Sequence, residues 1–159
     1  MNTNSIDGQS PVLLGQRCCL ILWGVHCDEI ATVLLATTLR AAGLRVYLVG
    51  ISGRQLAGSY GLRLQPDLTP AEALMVVHWA NCVIIPCNRN LLARFINDPR
   101  LDELLARAAQ MSVQFVVNPD LVAPGSEGFP YPLRDARPYP QGAALFEFAT
   151  ALAALLTNF

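Results

Sequence analysis

The side chains best equipped for chemistry fall at two places in this chain. Cys87 follows Pro86 at the end of the apolar run Cys82-Val83-Ile84-Ile85. His26, Cys27 and Glu29 follow a second apolar run, Cys18 to Trp23, which Gly24 closes. If the two runs are neighbouring strands, a thiol, an imidazole and a carboxylate come from adjacent strand ends. Those are the parts of an activated cysteine nucleophile, with Cys87 attacking and His26 or Glu29 assisting. Such a thiol needs a lowered pKa to react; the plainer reading of Cys87 is a small residue partly buried at a turn. Asn88 and Asn118 are candidates to hydrogen-bond a ligand, although asparagine before Pro119 is also ordinary turn chemistry. His26, Cys27, Glu29 and Cys87 are metal-ligand types, but adjacent residues seldom all face one ion. Their spacing matches no zinc signature, and no metal is expected. Cys27, near a helix N-terminus, has either a lowered pKa or a packing role.

These residues are positioned by a recurring order of strands and helices. Cys18 to Trp23 is uniformly apolar, as in a strand buried on both faces of a parallel sheet. A helix is expected from about Asp28 to Ala42, stopped by Gly43, with a second strand from Leu44 to Val49. Along this helix Ile30, Val33, Leu34, Thr37 and Ala41 form one stripe, and Ala31, Leu35, Thr38 and Ala42 extend the apolar surface to a second side. So small a polar face predicts burial against the sheet and against another surface, a partner subunit being one candidate. Gly and Ser residues between 52 and 59, then Leu62 to Pro66, suggest a small appended hairpin.

Thr69-Pro70-Ala71-Glu72 reads as an N-cap with proline at the first helical position, opening a helix to about Trp79. His78 at its end suits terminal carbonyls. Cys82 to Pro86 is the third strand, and Leu91, Leu92 and Phe95 suggest a short helical turn. A helix over 99–110 buries Leu101, Leu104, Leu105 and Ala108, with Glu103 and Arg107 paired outside. Val113 to Val117 is the next strand. Residues 119–140 hold six of the eleven prolines and no periodicity, a long loop that is either functional or a structured cover. Phe129, Tyr131 and Tyr139 there either form a partner-recognising patch or cover the sheet end. A last helix, about Ala143 to Thr157, aligns Leu145, Phe148, Ala149, Leu152 and Leu156.

Alternation of this kind predicts a flavodoxin-like three-layer α/β sandwich with a mostly parallel sheet and right-handed crossovers. Ligands in such sheets bind beyond the carboxyl ends of the strands. That places any site at 24–29, 86–90 and Asn118 with the loop after it. Residues 1–12 read as a disordered tail and 13–159 as a single domain.

Composition removes several function classes. All eleven basic residues are arginine; without lysine there is no internal Schiff base and no P-loop lysine, so pyridoxal phosphate chemistry is excluded. Gly24 to Asp28 is no phosphate-cradling loop, which disfavours a flavodoxin-type cofactor; no cofactor is expected. A net charge of −1 gives no electrostatic case for nucleic acid or an anionic membrane. The first residues lack the pattern of a signal peptide and no apolar run is long enough to span a membrane. Five cysteines without a Cys-x-x-Cys pair are expected as free thiols in the cytoplasm. Charged residues make up 14% of the chain against a usual share of about 25%, which fits a covered sheet or an oligomer.

The order and spacing of these segments resemble the PfpI/ThiJ family, which includes the parkinsonism-associated protein deglycase, within the class I glutamine-amidotransferase-like superfamily. The similar stretches are Asp28-Glu29-Ile30-Ala31-Thr32-Val33, Leu39-Arg40-Ala41-Ala42-Gly43, Val46 to Gly53, Val83-Ile84-Ile85-Pro86 and Phe146-Glu147-Phe148-Ala149. The resemblance implies a cysteine nucleophile on an elbow after the strand matching 113–117, bonded to a glutamate in the first helix. Here the elbow position matches Asn118 and the glutamate position Ala31, while the family's glycine pair matches Cys87 and Asn88. Pro119 also lacks the backbone N–H that would help hold an oxyanion. The expectation is therefore a non-catalytic binding or scaffold protein, a homodimer with a small-molecule or protein partner at the carboxyl ends of the strands. The alternative is a cysteine-dependent enzyme or redox sensor using Cys87.

Overall fold

A computed structural model of the chain describes residues 15–51, 57–95, 97–123 and 135–158. Five strands form one parallel sheet in the order β2-β1-β3-β4-β5: β1 (Cys18–Trp23), β2 (Val46–Gly50), β3 (Ala80–Ile85), β4 (Gln114–Val117) and β5 (Arg137–Pro138). That order is the flavodoxin-like winding, whose switch point lies between β1 and β3. The expected fold class is the observed one.

Alternating side chains of each central strand enter two cores. Leu20, Leu22, Val83 and Ile85 join the core under α2 (Pro70–Val76) and α4 (Pro99–Gln110). Cys19, Ile21, Cys82 and Ile84 join the core under α1 (Glu29–Ala41) and α5 (Ala144–Thr157). β1 is buried at every position, which is why its sequence carries no polar alternation. Cys18, Cys19 and Cys82 are core residues.

Local signals place the helix starts. Asp28 caps α1, its Oδ1 accepting from the Ala31 N–H at 3.1 Å. Thr69 and Glu72 bond each other's backbone N–H at the start of α2, a capping box that satisfies two otherwise unpaired donors. The Glu103–Arg107 ion pair is present on the outer face of α4. Leu145, Ala149, Leu152 and Leu156 of α5 are buried, with Phe148 half-buried.

The stripe of α1 differs from expectation. Ala31, Thr32, Leu35, Ala36 and Leu39 face inward, whereas Ile30 is 64% exposed and Thr37 and Ala41 are exposed. Both sides of the helix are apolar, so periodicity could not choose; packing of α1 against both the sheet and α5 chose the side with smaller residues. The His78 ring lies against that of its neighbour Trp79 at a tilt of 45°, centroids 3.6 Å apart.

The proposed appended hairpin survives as an antiparallel bridge between Ala57 and Arg63, closed by Gly58 N–H donating to the Leu62 carbonyl at 2.9 Å; residues 52–56 lie outside the description. The long loop contains a 3-10 turn, Pro119–Leu121, and the two-residue strand β5, too short to leave a period-two signal. Phe129 and Tyr131 lie outside the described residues.

Candidate functional site

The switch point is built from the turns that follow β1 and β3. After β1 the chain reverses through His26, an exposed residue with φ +61°, a conformation that carries a steric cost for any residue with a Cβ. The Cys27 N–H then donates to the Gly24 carbonyl at 3.2 Å, and the Asp28 N–H donates to the Pro86 carbonyl at 3.1 Å. This last bond fixes the start of α1 beside the end of β3. As a result Cys27 Sγ and Cys87 Sγ lie 2.8 Å apart. Both residues are free thiols and fully buried.

Tyr139 closes the site from the other side of the chain. Its hydroxyl donates to Asp28 Oδ2 at 3.0 Å, and the residue is 1% exposed. Burial, followed by the Asp28 carboxylate, pushes its phenol pKa well above the ordinary range. The hydrogen bond with Cys27 and then burial push the Cys87 thiol up as well. Both effects favour the neutral forms. Thiol and phenol therefore keep their protons at neutral pH, which is the opposite of an activated nucleophile.

Glu29 is buried at 7% exposure and its Oε1 accepts the backbone N–H groups of Tyr60 and Leu62, each at 2.8 Å. It holds the turn after β2 over the first helix. Among the described residues no hydrogen bond joins Cys87 to His26 or Glu29. The predicted pair of strand ends does meet, but the residue it brings to Cys87 is Cys27. No group of three or more metal-ligand side chains gathers among the described residues.

The two asparagines are occupied locally. Asn88 Oδ1 accepts from the Leu91 N–H at 2.9 Å, capping α3 (Arg89–Phe95). Asn118 Oδ1 accepts from the Asp120 N–H at 3.0 Å, capping the 3-10 turn. Asp120 in turn accepts the Arg89 N–H at 3.0 Å through Oδ2, linking the ends of β3 and β4. Ala31, at the position the resemblance assigns to a glutamate, is fully buried.

Sequence reading did not foresee the Cys27–Cys87 contact or the Asp28–Tyr139 bond. The first had a faint signal, since each cysteine follows a buried strand. The second spans 111 residues and had none. Grooves of about 920 and 550 Å³ lie at the opposite, amino ends of the strands, lined among others by His78, Trp79 and Phe115 and by Arg40, Arg45 and Asp67 respectively.

Sheet order and switch-point geometry define a flavodoxin-like α/β protein. No family model and no curated protein matches the sequence, but solved structures match the fold. Drosophila melanogaster DJ-1beta superposes with a TM-score of 0.65 at 15% identity, covering 91% of this chain and 92% of its own. A cysteine-to-alanine mutant of a Salmonella typhimurium DJ-1 superfamily protein gives 0.68 at 14% identity, covering 90% and 91%. Oxidized Toxoplasma gondii DJ-1 gives 0.64 at 18% identity, covering 89% and 91%. The chain has the DJ-1/ThiJ/PfpI-like fold, as the sequence resemblance implied. Among the described residues no helix is long and apolar enough to cross a membrane.

Proposed function

We propose that the chain is a non-catalytic member of the PfpI/ThiJ group, acting as a binding or scaffold module. The observation that carries this reading is the burial of Cys87 against Cys27 with its thiol pKa raised, because a cysteine nucleophile must be an accessible thiolate. Three further features support it. The elbow position holds Asn118, whose side chain is committed to a cap. Pro119 offers no N–H to an oxyanion. Ala31 cannot bond a nucleophile. The site is thus degenerate in the sense that each position required for the family's chemistry carries a residue unable to perform it.

A reducing cytoplasmic setting fits five free cysteines. Dimerisation is part of the reading: α1 and α5 pack side by side, and Ile30 and Phe146 on them are 64% and 60% exposed. A small-molecule or protein partner would engage the carboxyl ends of the strands, where ligands of such sheets bind.

The test is alkylation of the native protein with iodoacetamide across pH 5 to 9, resolved by residue with mass spectrometry. Cys87 should label slowly throughout, and quickly once the protein is unfolded. Rapid labelling of native Cys87 near pH 5 would overturn the proposal in favour of a cysteine enzyme or sensor.

A further inference from the structure

The contact between Cys27 and Cys87 has a chemical consequence that is independent of whether the fold carries an activity. Their sulfurs are 2.8 Å apart, roughly 0.75 Å beyond the length of a disulfide bond at about 2.05 Å. Both lie just past strand ends, in turns rather than in a ladder. Turns yield more readily than paired strands, so the remaining gap closes by small adjustment at residues 25–28 and 87–88. Cys19 and Cys82 make a useful contrast. They are in-register partners of β1 and β3 whose thiols also meet, but they are buried at the sheet centre in a paired ladder rather than in turns beside the surface.

We propose that Cys27 and Cys87 are a reversible modification site, joined as an intramolecular disulfide by a hydroperoxide. One sulfur, deprotonated, attacks a peroxide oxygen; an S–O bond forms, the O–O bond breaks, and the released hydroxide takes the thiol proton to leave as water. The second sulfur then attacks the sulfenic sulfur. The S–S bond forms, the S–O bond breaks, and the hydroxyl leaves with the second thiol proton as another water. Two thiols lose two electrons and the peroxide gains them. A dithiol reductant reverses the change.

One turn is bonded directly to the backbone of Cys27. The exposed Ser59 donates its hydroxyl to the carbonyls of His26 and Cys27 at 2.9 and 3.0 Å, and its N–H to the Cys27 carbonyl at 3.2 Å. Hydrogen peroxide is scarcely larger than water and enters when this turn opens locally. The raised pKa of the Cys87 thiol makes the reaction slow at neutral pH and faster in alkali. Once formed, the bond joins residues 60 positions apart in sequence and clamps the α1 start to the end of β3. A loop of that length raises Tm on the order of 10 °C.

The experiment treats the native, fully reduced wild-type protein with hydrogen peroxide, blocks remaining thiols under denaturing conditions, and maps the peptides. Chymotrypsin cuts at Trp23 and so separates Cys27 from Cys18 and Cys19; fragment ions distinguish Cys87 from Cys82. The expected product is a Cys27–Cys87 cross-linked peptide, two hydrogens lighter than its parts and lost on adding dithiothreitol. It persists in Cys82→Ser, accumulates several-fold faster in Ser59→Ala, and accompanies the rise in Tm. Recovery of both residues as blocked thiols would overturn the proposal. So would their separate conversion to sulfinic acids, or a cross-link confined to Cys19 and Cys82.

Discussion

The Tyr139 hydroxyl and Asp28 Oδ2 are joined by a 3.0 Å hydrogen bond across 111 residues of sequence. Asp28 Oδ1 meanwhile caps α1 through the Ala31 N–H. One carboxylate therefore fastens both the first helix and the segment that leads into the last one. Tyr139→Phe keeps the ring and removes only the bond, and should cost about 1–2 kcal/mol. Asp28→Ala should cost more, about 2–3 kcal/mol, because the cap goes as well. Urea denaturation of the two variants measures both; equal midpoints for wild type and Tyr139→Phe would show that the bond contributes nothing.

Gly58 has no room for a side chain. A Cβ there would sit 2.6 Å from both Glu29 Oε1 and Trp23 Cη2, and neither can retreat, since Trp23 is fully buried and Glu29 is bonded twice. Gly58→Ala is expected to destabilise by about 1–3 kcal/mol through overpacking. Glu29→Ala should cost a similar amount by leaving two backbone donors without their acceptor, while Glu29→Gln, which keeps a carbonyl oxygen, should cost less than about 1 kcal/mol. A Gly58→Ala protein with unchanged thermal stability would mean that the turn is not held as described.

Stability should fall in alkali. The Cys18 pKa is raised by burial from an ordinary 9.0 to about 11, and Cys19, Cys87 and Tyr139 are displaced in the same direction. Between pH 9 and 11 the unfolded chain has released protons that the native protein still holds. Stability is thus fully present below the unfolded value and is lost as pH rises through the native one. Tm measured at intervals upward from about pH 7 should stay level and then drop above about pH 9. A level curve to about pH 10.5 would refute the shifts.

Dimerisation through α1 and α5 predicts a sharp response to charge at the exposed apolar positions. Ile30→Glu and Phe146→Glu should each weaken self-association at least tenfold, equivalent to about 1.4 kcal/mol, with little change in monomer stability because both side chains are exposed. Sedimentation equilibrium reads the association directly. A wild-type protein that remains monomeric at high concentration would remove dimerisation from the proposed function.

The sheet was legible because its signals are local. Uninterrupted apolar runs marked β1 and β3, and Thr69 stands as a cap beside the first turn it satisfies. The strand order β2-β1-β3-β4-β5 is one of those that right-handed crossovers allow; the rule fixes the hand of each connection and leaves the order to packing. What sequence could not supply was orientation and distance. α1 is apolar on two sides, and only packing against α5 and the sheet decided that Leu35 and Leu39 go in and Ile30 stays out.

The same limit applied at the switch point. The strand ends named the neighbourhood of Cys87, and three nearby side chains competed for it. Backbone geometry settled the matter: the positive φ of His26 and the Asp28–Pro86 bond direct Cys27 to Cys87 and leave Glu29 holding the next turn. By itself the sequence determined an α/β sheet with no lysine chemistry, since residue type and order carry that information. Tertiary structure alone decided that two thiols and a phenol fill the site, because contacts spanning 60 and 111 residues depend on the packing of whole elements and leave no local periodicity to read.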